Sequence, residues 1–167
     1  GLIDHPVRYG PLFKRPSKKV LRLARAEKGK KLFTAEQIRK IIKKADGQLG
    51  AMILVAVNCG FGNSDVGTMP LSSLDLADGW LNYHRPKTGI DRRCPLWPET
   101  VAALRKVLAD RPTPKPEDAA ELVFVTKYGA SWAKETTDNP VTKEFRKLLD
   151  DLGLHRAGLG FYSLRHT

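Results

Sequence analysis

Lys87 is the side chain whose position most directly suggests chemistry. It lies in residues 86–90, between two runs of alternating polar and apolar residues at 80–85 and 91–96. Such alternation is typical of half-buried strands, and Pro and Gly bracket a short turn, so the pattern predicts a β-hairpin with Lys87 at its tip. An ammonium group held there could bind a phosphate, because lysine carries three donors on a compact cation. The alternative is an ordinary solvated turn residue.

The basic residues are concentrated at the start of the chain. The 167 residues carry 29 Lys and Arg against 18 Asp and Glu, a net charge of +11. Residues 1–31 hold ten basic and two acidic residues, and their three prolines predict an extended arm ahead of a domain at 32–167. A basic arm favours nucleic acid as the partner, although a solvated linker is the alternative. The expected DNA contacts in the arm are Lys14, Arg15, Lys18, Lys19 and Arg22.

Composition argues against several other function classes. An apolar content of 41% over 167 residues allows one domain with a proper core. No apolar run is long enough to span a membrane, and residues 1–6 do not resemble a signal peptide. Cys59 and Cys94 are far apart and lack a Cys/His cluster at zinc spacing, so we expect packed thiols, no metal and a reducing cytoplasmic setting. Neither a P-loop nor a dinucleotide fingerprint is present, so no nucleotide cofactor is expected.

Periodicity and capping signals predict an α+β fold that is mainly helical, with a small three-stranded antiparallel sheet. Thr34 and Gln37 have the spacing of a capping box ahead of a helix. A second helix is expected from about Gln48 to Asn58, where nearly every face is apolar, and Gly60 should end it. Two further helices are expected from Pro98 and over residues 141–152, and strands are expected at 74–76, 80–85 and 91–96.

Three sequence patches, in this order of elements, resemble the catalytic domain of the tyrosine recombinase (phage integrase) family over residues 32–167. The first is Cys-Gly-Phe-Gly-Asn-Ser-Asp at 59–65, and the second is Pro-Lys-Thr-Gly at 86–89 with Arg93 shortly after it. The third is Tyr-Ser-Leu-Arg-His-Thr at 162–167. The basic arm stands where that family links a separate N-terminal DNA-binding domain.

The resemblance implies site-specific DNA recombination or integration through a phosphotyrosine, as in a mobile element. Two arginines would neutralise charge on the scissile phosphate, and a hairpin lysine would protonate the leaving oxygen. Lys87 takes the place of the lysine and Arg165 that of the second arginine, while Tyr162 stands where a histidine is usual. The implied partners are double-stranded DNA and further protomers bound to it. The implied location of this bacterial or phage-derived protein is the cytoplasm, at the nucleoid.

Gly62 stands where the family carries its first catalytic arginine, and the chain has no Lys or Arg between Lys44 and Arg85. Arg85, Arg92 or Arg93 of the hairpin are the candidates to supply the missing cation, and Arg92 and Arg93 are also expected DNA contacts. We expect Asp65 to cap a helix without an arginine partner. A positive φ at position 62 or a close contact with a helix is the alternative reason for a glycine there.

The family's nucleophilic tyrosine is expected beyond Thr167, so the sequence predicts a fragment that is inactive alone. One interpretation is that the chain is part of an active but divergent recombinase in which another cation fills the gap at Gly62. A second is a recombinase-like module that binds DNA, has lost cleavage and serves regulation or structure. A fold relative that binds protein instead of DNA is a third.

Overall fold

The computed structural model describes residues 16–27, 31–85, 88–134 and 139–167. The chain divides into two compact units, Gly1–Lys30 and Lys31–Thr167. In the part of the first unit that is described, helix α1 (Lys18–Glu27) follows Pro16, and the Ser17 hydroxyl accepts a hydrogen bond from the Val20 amide at 3.3 Å. The prediction of an extended arm is therefore wrong for this stretch. All three prolines precede the helix, and residues 17–27 contain neither Pro nor Gly, so good helix formers decide the local structure.

The helices of the second unit begin and end close to the predicted positions. Helix α2 (Ala35–Lys44) has the predicted capping box: the Thr34 hydroxyl accepts from the Gln37 amide at 3.2 Å, and the Gln37 side chain accepts from the Thr34 amide at 3.0 Å. Helix α3 (Gly47–Cys59) is the central helix and buries most of its apolar residues. It ends at Gly60, whose φ of 67° lies in the left-handed region that glycine enters without strain.

A short helix, α4 (Asn63–Gly67), follows the loop 60–62. The sequence suggested only that Asp65 caps a helix and gave no bounds for it, because five residues are too few to show a helical period. Two longer helices, α5 (Pro98–Ala109) and α6 (Pro140–Asp151), begin at their prolines, and the chain ends in a 3-10 helix, Phe161–His166. Helix α3 contacts all of these elements, so it is the frame on which the loop 60–62 and the terminal 3-10 helix are placed.

The sheet has the predicted three antiparallel strands, β1 (Leu74–Asp75), β2 (Trp80–Arg85) and β3 (Ile90–Pro95), in the order β1-β2-β3. The β2–β3 hairpin is confirmed, with Tyr83 opposite Arg92 and Asn82 opposite Arg93. Lys87 lies outside the described residues. The predicted fold class, mainly helical with a small antiparallel sheet, is confirmed. Within the described ranges, no helix is both long and apolar enough to cross a membrane.

Candidate phosphate-binding site

The terminal 3-10 helix places Arg165 and Tyr162 beside the loop 60–62. A Cβ atom built on Gly60 would lie 3.8 Å from Cγ of Arg165, so the arginine stem runs along the end of helix α3. Its guanidinium carbon lies 5.6 Å from the centre of the Tyr162 ring, within the range of a cation–π contact. The His166 ring is a further neighbour of Tyr162, with 5.1 Å between the centres of the two rings. The structure thus brings two of the sequence-predicted site residues together.

Gly62 faces the ring of Tyr162. A Cβ atom at position 62 would lie 3.3 Å from Cδ2 and 3.4 Å from Cε2 of that ring, and 3.5 Å from Oδ2 of Asp65. The backbone at Gly62 has φ −89° and ψ 173°, an extended conformation that any residue adopts. A positive φ is therefore not the reason for this glycine. Because Tyr162 is 51% exposed, a small movement of its ring would admit a side chain at position 62.

Asp65 connects this loop to the hairpin. One carboxylate oxygen accepts a hydrogen bond from the Gly62 amide at 3.0 Å, which confirms the expected capping role at the start of α4. The other oxygen accepts from Nε of Arg85 at 3.2 Å, and the two side chains are only 9% and 16% exposed. The expectation that Asp65 has no arginine partner is therefore wrong, because the partner comes from β2, twenty residues further along the chain.

Tyr83 lies between these charges and the core. Its ring is 4.7 Å from that of Phe61 between centres, and its hydroxyl is 3.4 Å from the Thr68 hydroxyl. Burial raises the pKa of Tyr83 above its ordinary value, and the negative charge of Asp65 adds to the rise. The hydrogen bond with Thr68 and the charges of Arg85 and Arg92 act on that pKa in the opposite direction. Arg85 and Arg92 therefore both lie near Tyr83, on the inner face of the hairpin.

Arg93 lies on the outer face of the hairpin. Leu81 and Tyr83 are buried whereas Asn82 is exposed, and Arg93 pairs with Asn82 across the two strands. The Arg93 guanidinium carbon is 4.4 Å from the centre of the Trp80 ring. Of the three arginines considered as substitutes for a cation at position 62, Arg93 is therefore on the wrong face, and Arg85 is the one bound to Asp65.

The two cysteines meet where α3 approaches β3. Burial, with the neighbouring Cys94, raises the pKa of Cys59 to about 12, so its thiol stays protonated near neutral pH. Both cysteines are free and partly buried, as expected for packed thiols. Over the described ranges, no group of three His, Cys, Asp or Glu side chains could hold a metal ion.

Sequence reasoning missed the pairing of Arg85 with Asp65. Two signals pointed towards it. Strand alternation puts Arg85 on the same face as Leu81 and Tyr83, and Arg85 is the first cation after Lys44. The predicted cations Lys18, Lys19 and Arg22 lie exposed on helix α1 of the first unit, whereas Lys14 and Arg15 lie outside the described residues.

Comparison with known proteins identifies the family. The model of the phage integrase family matches residues 31–167, and a search of curated protein sequences finds no match. Similar solved structures include XerA recombinase, with a TM-score of 0.66 and 19% identity over 81% of this chain and 47% of that one. XerH recombinase bound to a palindromic difH substrate has a TM-score of 0.65 and 17% identity, over 83% of this chain and 40% of that one. A lambda integrase dimer bound to a COC′ core site has a TM-score of 0.59 and 20% identity, over 80% of this chain and 38% of that one.

The structural likenesses, at these identities, show the fold, and the present chain spans about half or less of the length of these proteins. The family match is the stronger finding, because it covers the whole second unit of the chain. It also agrees with the sheet, the central helix and the terminal 3-10 helix described above. The chain belongs to the phage integrase family of tyrosine recombinases.

Proposed function

We propose that this chain is the DNA-binding part of a site-specific recombinase or integrase whose intact form breaks and rejoins DNA through a phosphotyrosine. The observation that carries the proposal is the placement of Arg165 and Tyr162 on one 3-10 helix, against the glycine loop at the end of α3. The XerH and lambda integrase structures of similar fold are DNA complexes. The site of action would be the cytoplasm, at the nucleoid, with further protomers on the same DNA.

Arg165 is the principal phosphate ligand in this proposal. A guanidinium is permanently charged and can donate two parallel hydrogen bonds to phosphate oxygens. The hydroxyl of Tyr162 can add one hydrogen bond, but a phenol does not carry protons near neutral pH as an imidazole does. Lys87 takes the role of general acid on the strength of its family position alone.

The remaining contacts are with the DNA backbone. Lys18, Lys19 and Arg22 are exposed on α1, and with Lys14 and Arg15 they supply a sequence-independent attraction to phosphates. Arg92 and Arg93 would add contacts from the two faces of the hairpin. Such contacts release counterions, so affinity should fall steeply with salt.

Fluorescence anisotropy of a labelled duplex, titrated with the full chain at several salt concentrations, tests the proposal. The logarithm of the binding constant should fall linearly with that of salt, with a slope of about −0.9 per neutralised phosphate. Replacing Lys18, Lys19 and Arg22 together by Gln should make the slope shallower by about 2–3. Duplex affinity that is unchanged between low and moderate salt would contradict the nucleic-acid assignment.

The phosphate role of Arg165 has its own test. Arg165→Gln should weaken duplex binding about tenfold or more, because a charge-assisted hydrogen bond to phosphate is lost. Arg105→Gln is the matched control, since Arg105 is exposed and already donates to the Leu76 carbonyl at 2.8 Å. Equal affinities of the two variants would remove Arg165 from the site.

A second candidate function, a recombinase-like module that binds DNA without cleaving it, is favoured by one observation. The ring of Tyr162 covers the position where the family's first arginine would stand. A duplex nicked near the exchange point separates the two functions in the intact protein. A covalent protein–DNA complex that survives denaturation identifies the enzyme, whereas binding without such a complex identifies the module.

A further inference from the structure

A cation from the hairpin is linked to Gly62 through Asp65. Neither the loop 60–62 nor helix α4 brings a positive charge to the site, because the sequence has no Lys or Arg between Lys44 and Arg85. Arg85 arrives instead from the end of β2 and donates to Asp65 at 3.2 Å. The same carboxylate accepts a hydrogen bond from the Gly62 amide at 3.0 Å. Asp65 therefore links the Arg85 guanidinium to the Gly62 backbone.

We propose that Arg85 binds a DNA phosphate at this site, in place of the side chain that position 62 lacks. The identity of the ligand, a DNA phosphate, rests on the proposed function. The bond to Asp65 engages Nε, one of the five N–H donors of the guanidinium, whose planar fork suits two phosphate oxygens. The Arg85 side chain is 16% exposed, so part of it reaches the surface.

Asp65 fixes the direction of this arginine. The carboxylate is itself held by the Gly62 amide and is nearly buried, so it presents the guanidinium in one orientation. Positioning of this kind lowers the entropy that a long side chain loses when it binds an anion. Arg165 also lies beside this loop, since a Cβ atom at Gly60 would be 3.8 Å from its Cγ, so the loop 60–62 is linked to both arginines.

Arginines at positions 62 and 85 should substitute for each other. A Cβ atom at position 62 would already lie 3.5 Å from Oδ2 of Asp65, so an arginine there would share its one carboxylate with Arg85. Two guanidinium groups around a single carboxylate repel each other. A cation at position 62 should consequently help when Arg85 is gone and help little when Arg85 is present.

A double-mutant cycle in the full chain tests the proposal, using Arg85→Gln, Gly62→Arg and both changes together. Two quantities are measured for each protein, the affinity for a labelled duplex and the thermal stabilisation by inorganic phosphate. Arg105→Gln is the matched control, because it removes the same charge from an exposed side chain outside the proposed contacts, where Arg105 donates to the Leu76 carbonyl at 2.8 Å. If Arg85→Gln does not fold, Asp65→Asn/Arg85→Gln replaces it, since that pair retains a hydrogen bond without a buried charge.

The expected result is non-additive. Arg85→Gln should weaken duplex binding about tenfold or more and reduce the stabilisation by phosphate, because a charged hydrogen bond to the anion is lost while Arg165 remains. Gly62→Arg alone should change affinity by less than about threefold, and in the Arg85→Gln background it should restore most of the loss. Arg105→Gln should leave both the duplex affinity and the stabilisation by phosphate unchanged.

Several outcomes would overturn the proposal. One is a folded Arg85→Gln protein that binds duplex and phosphate as the native protein does. Another is a Gly62→Arg change that strengthens binding by the same factor in both backgrounds. If the native chain binds no duplex but phosphate still stabilises it through Arg85, the proposed function fails while the anion site stands. If neither ligand binds, both fail.

Discussion

Each face of the β2–β3 hairpin carries a basic side chain in contact with a carboxylate, and the two contacts have different surroundings. On the inner face, Arg85 contacts Asp65 at 3.2 Å with side-chain exposures of 16% and 9%. On the outer face, His84 contacts Asp91 at 2.7 Å with exposures of 65% and 88%. The outer pair is shorter but should contribute less to stability, because water screens it and both side chains lose freedom to form it. Burial, more than distance, therefore decides what each pair does.

Removing one partner of the inner pair should have the largest effect. Arg85→Ala leaves the Asp65 carboxylate buried without a counter-charge, which should lower the free energy of unfolding by about 3–5 kcal/mol. Urea unfolding followed by circular dichroism measures the change. Adding Asp65→Asn to Arg85→Ala should recover a large part of the lost free energy of unfolding, because no buried charge then remains unpaired. A loss below about 1 kcal/mol would mean that the pair is as well solvated as a surface pair.

The apolar positions of the hairpin should show the same contrast. Leu81 is fully buried on the inner face, so Leu81→Ala should cost about 2–5 kcal/mol through lost burial and a residual cavity. Asn82, its neighbour on the outer face, is exposed, and Asn82→Ala should lie within about 0.5 kcal/mol of the native protein. The same unfolding experiment compares the two. Similar losses at both positions would contradict the assignment of faces.

Local patterns predicted much of this hairpin and of the helices. The capping box at Thr34 and the left-handed Gly60 depend on neighbouring residues only, and both were predictable from the chain. Strand alternation likewise predicted which residues share a face. Helix α1 was missed because the extended conformation that the prolines favour was assigned also to the residues that follow them.

The site was harder to predict because its contacts are distant in the chain. The Asp65–Arg85 pair and the packing of Tyr162 on Gly62 depend on how α3 brings a loop, a strand and the terminal 3-10 helix together. A family pattern could place Arg165 and Tyr162, but it could not show that the cation nearest to the gap would come from β2. Strand alternation predicts that a side chain faces inward, but it does not predict which residue that side chain contacts.

Alkaline pH should lower the free energy of unfolding through Cys59, which lies beside Cys94 on the inner face of the hairpin. This effect should be smaller than those of Arg85→Ala and Leu81→Ala. The pKa of Cys59 is about 12 in the folded protein and near 9 when unfolded, so between these values the unfolded state binds fewer protons. Stability is thus fully present below about pH 9 and is lost as pH rises towards 12, by at most about 1.4 kcal/mol per unit for this group.

Unfolding free energies of the native protein and Cys59→Ala, measured at pH 8 and pH 10.5, test this effect. The native protein should lose more stability over that interval than the variant, because alanine has no proton to release. The raised pKa of Tyr83 acts in the same direction but is common to both proteins, so it cancels in the difference. Equal losses in the two proteins would show that the Cys59 thiol ionises as easily in the fold as in the unfolded chain.

The smallest effect is expected for the outer contact between His84 and Asp91. His84→Ala removes the contact with Asp91, yet both groups are mostly exposed, so the free energy of unfolding should fall by no more than about 1 kcal/mol. The change should stay small in concentrated salt, and the cost of Arg85→Ala should persist there because the carboxylate of Asp65 is buried. Asp91→Ala is the matched control and should give a similar small change. A loss at His84 as large as that at Arg85, and equally resistant to salt, would mean that the outer face is covered, which would remove the distinction between the two faces.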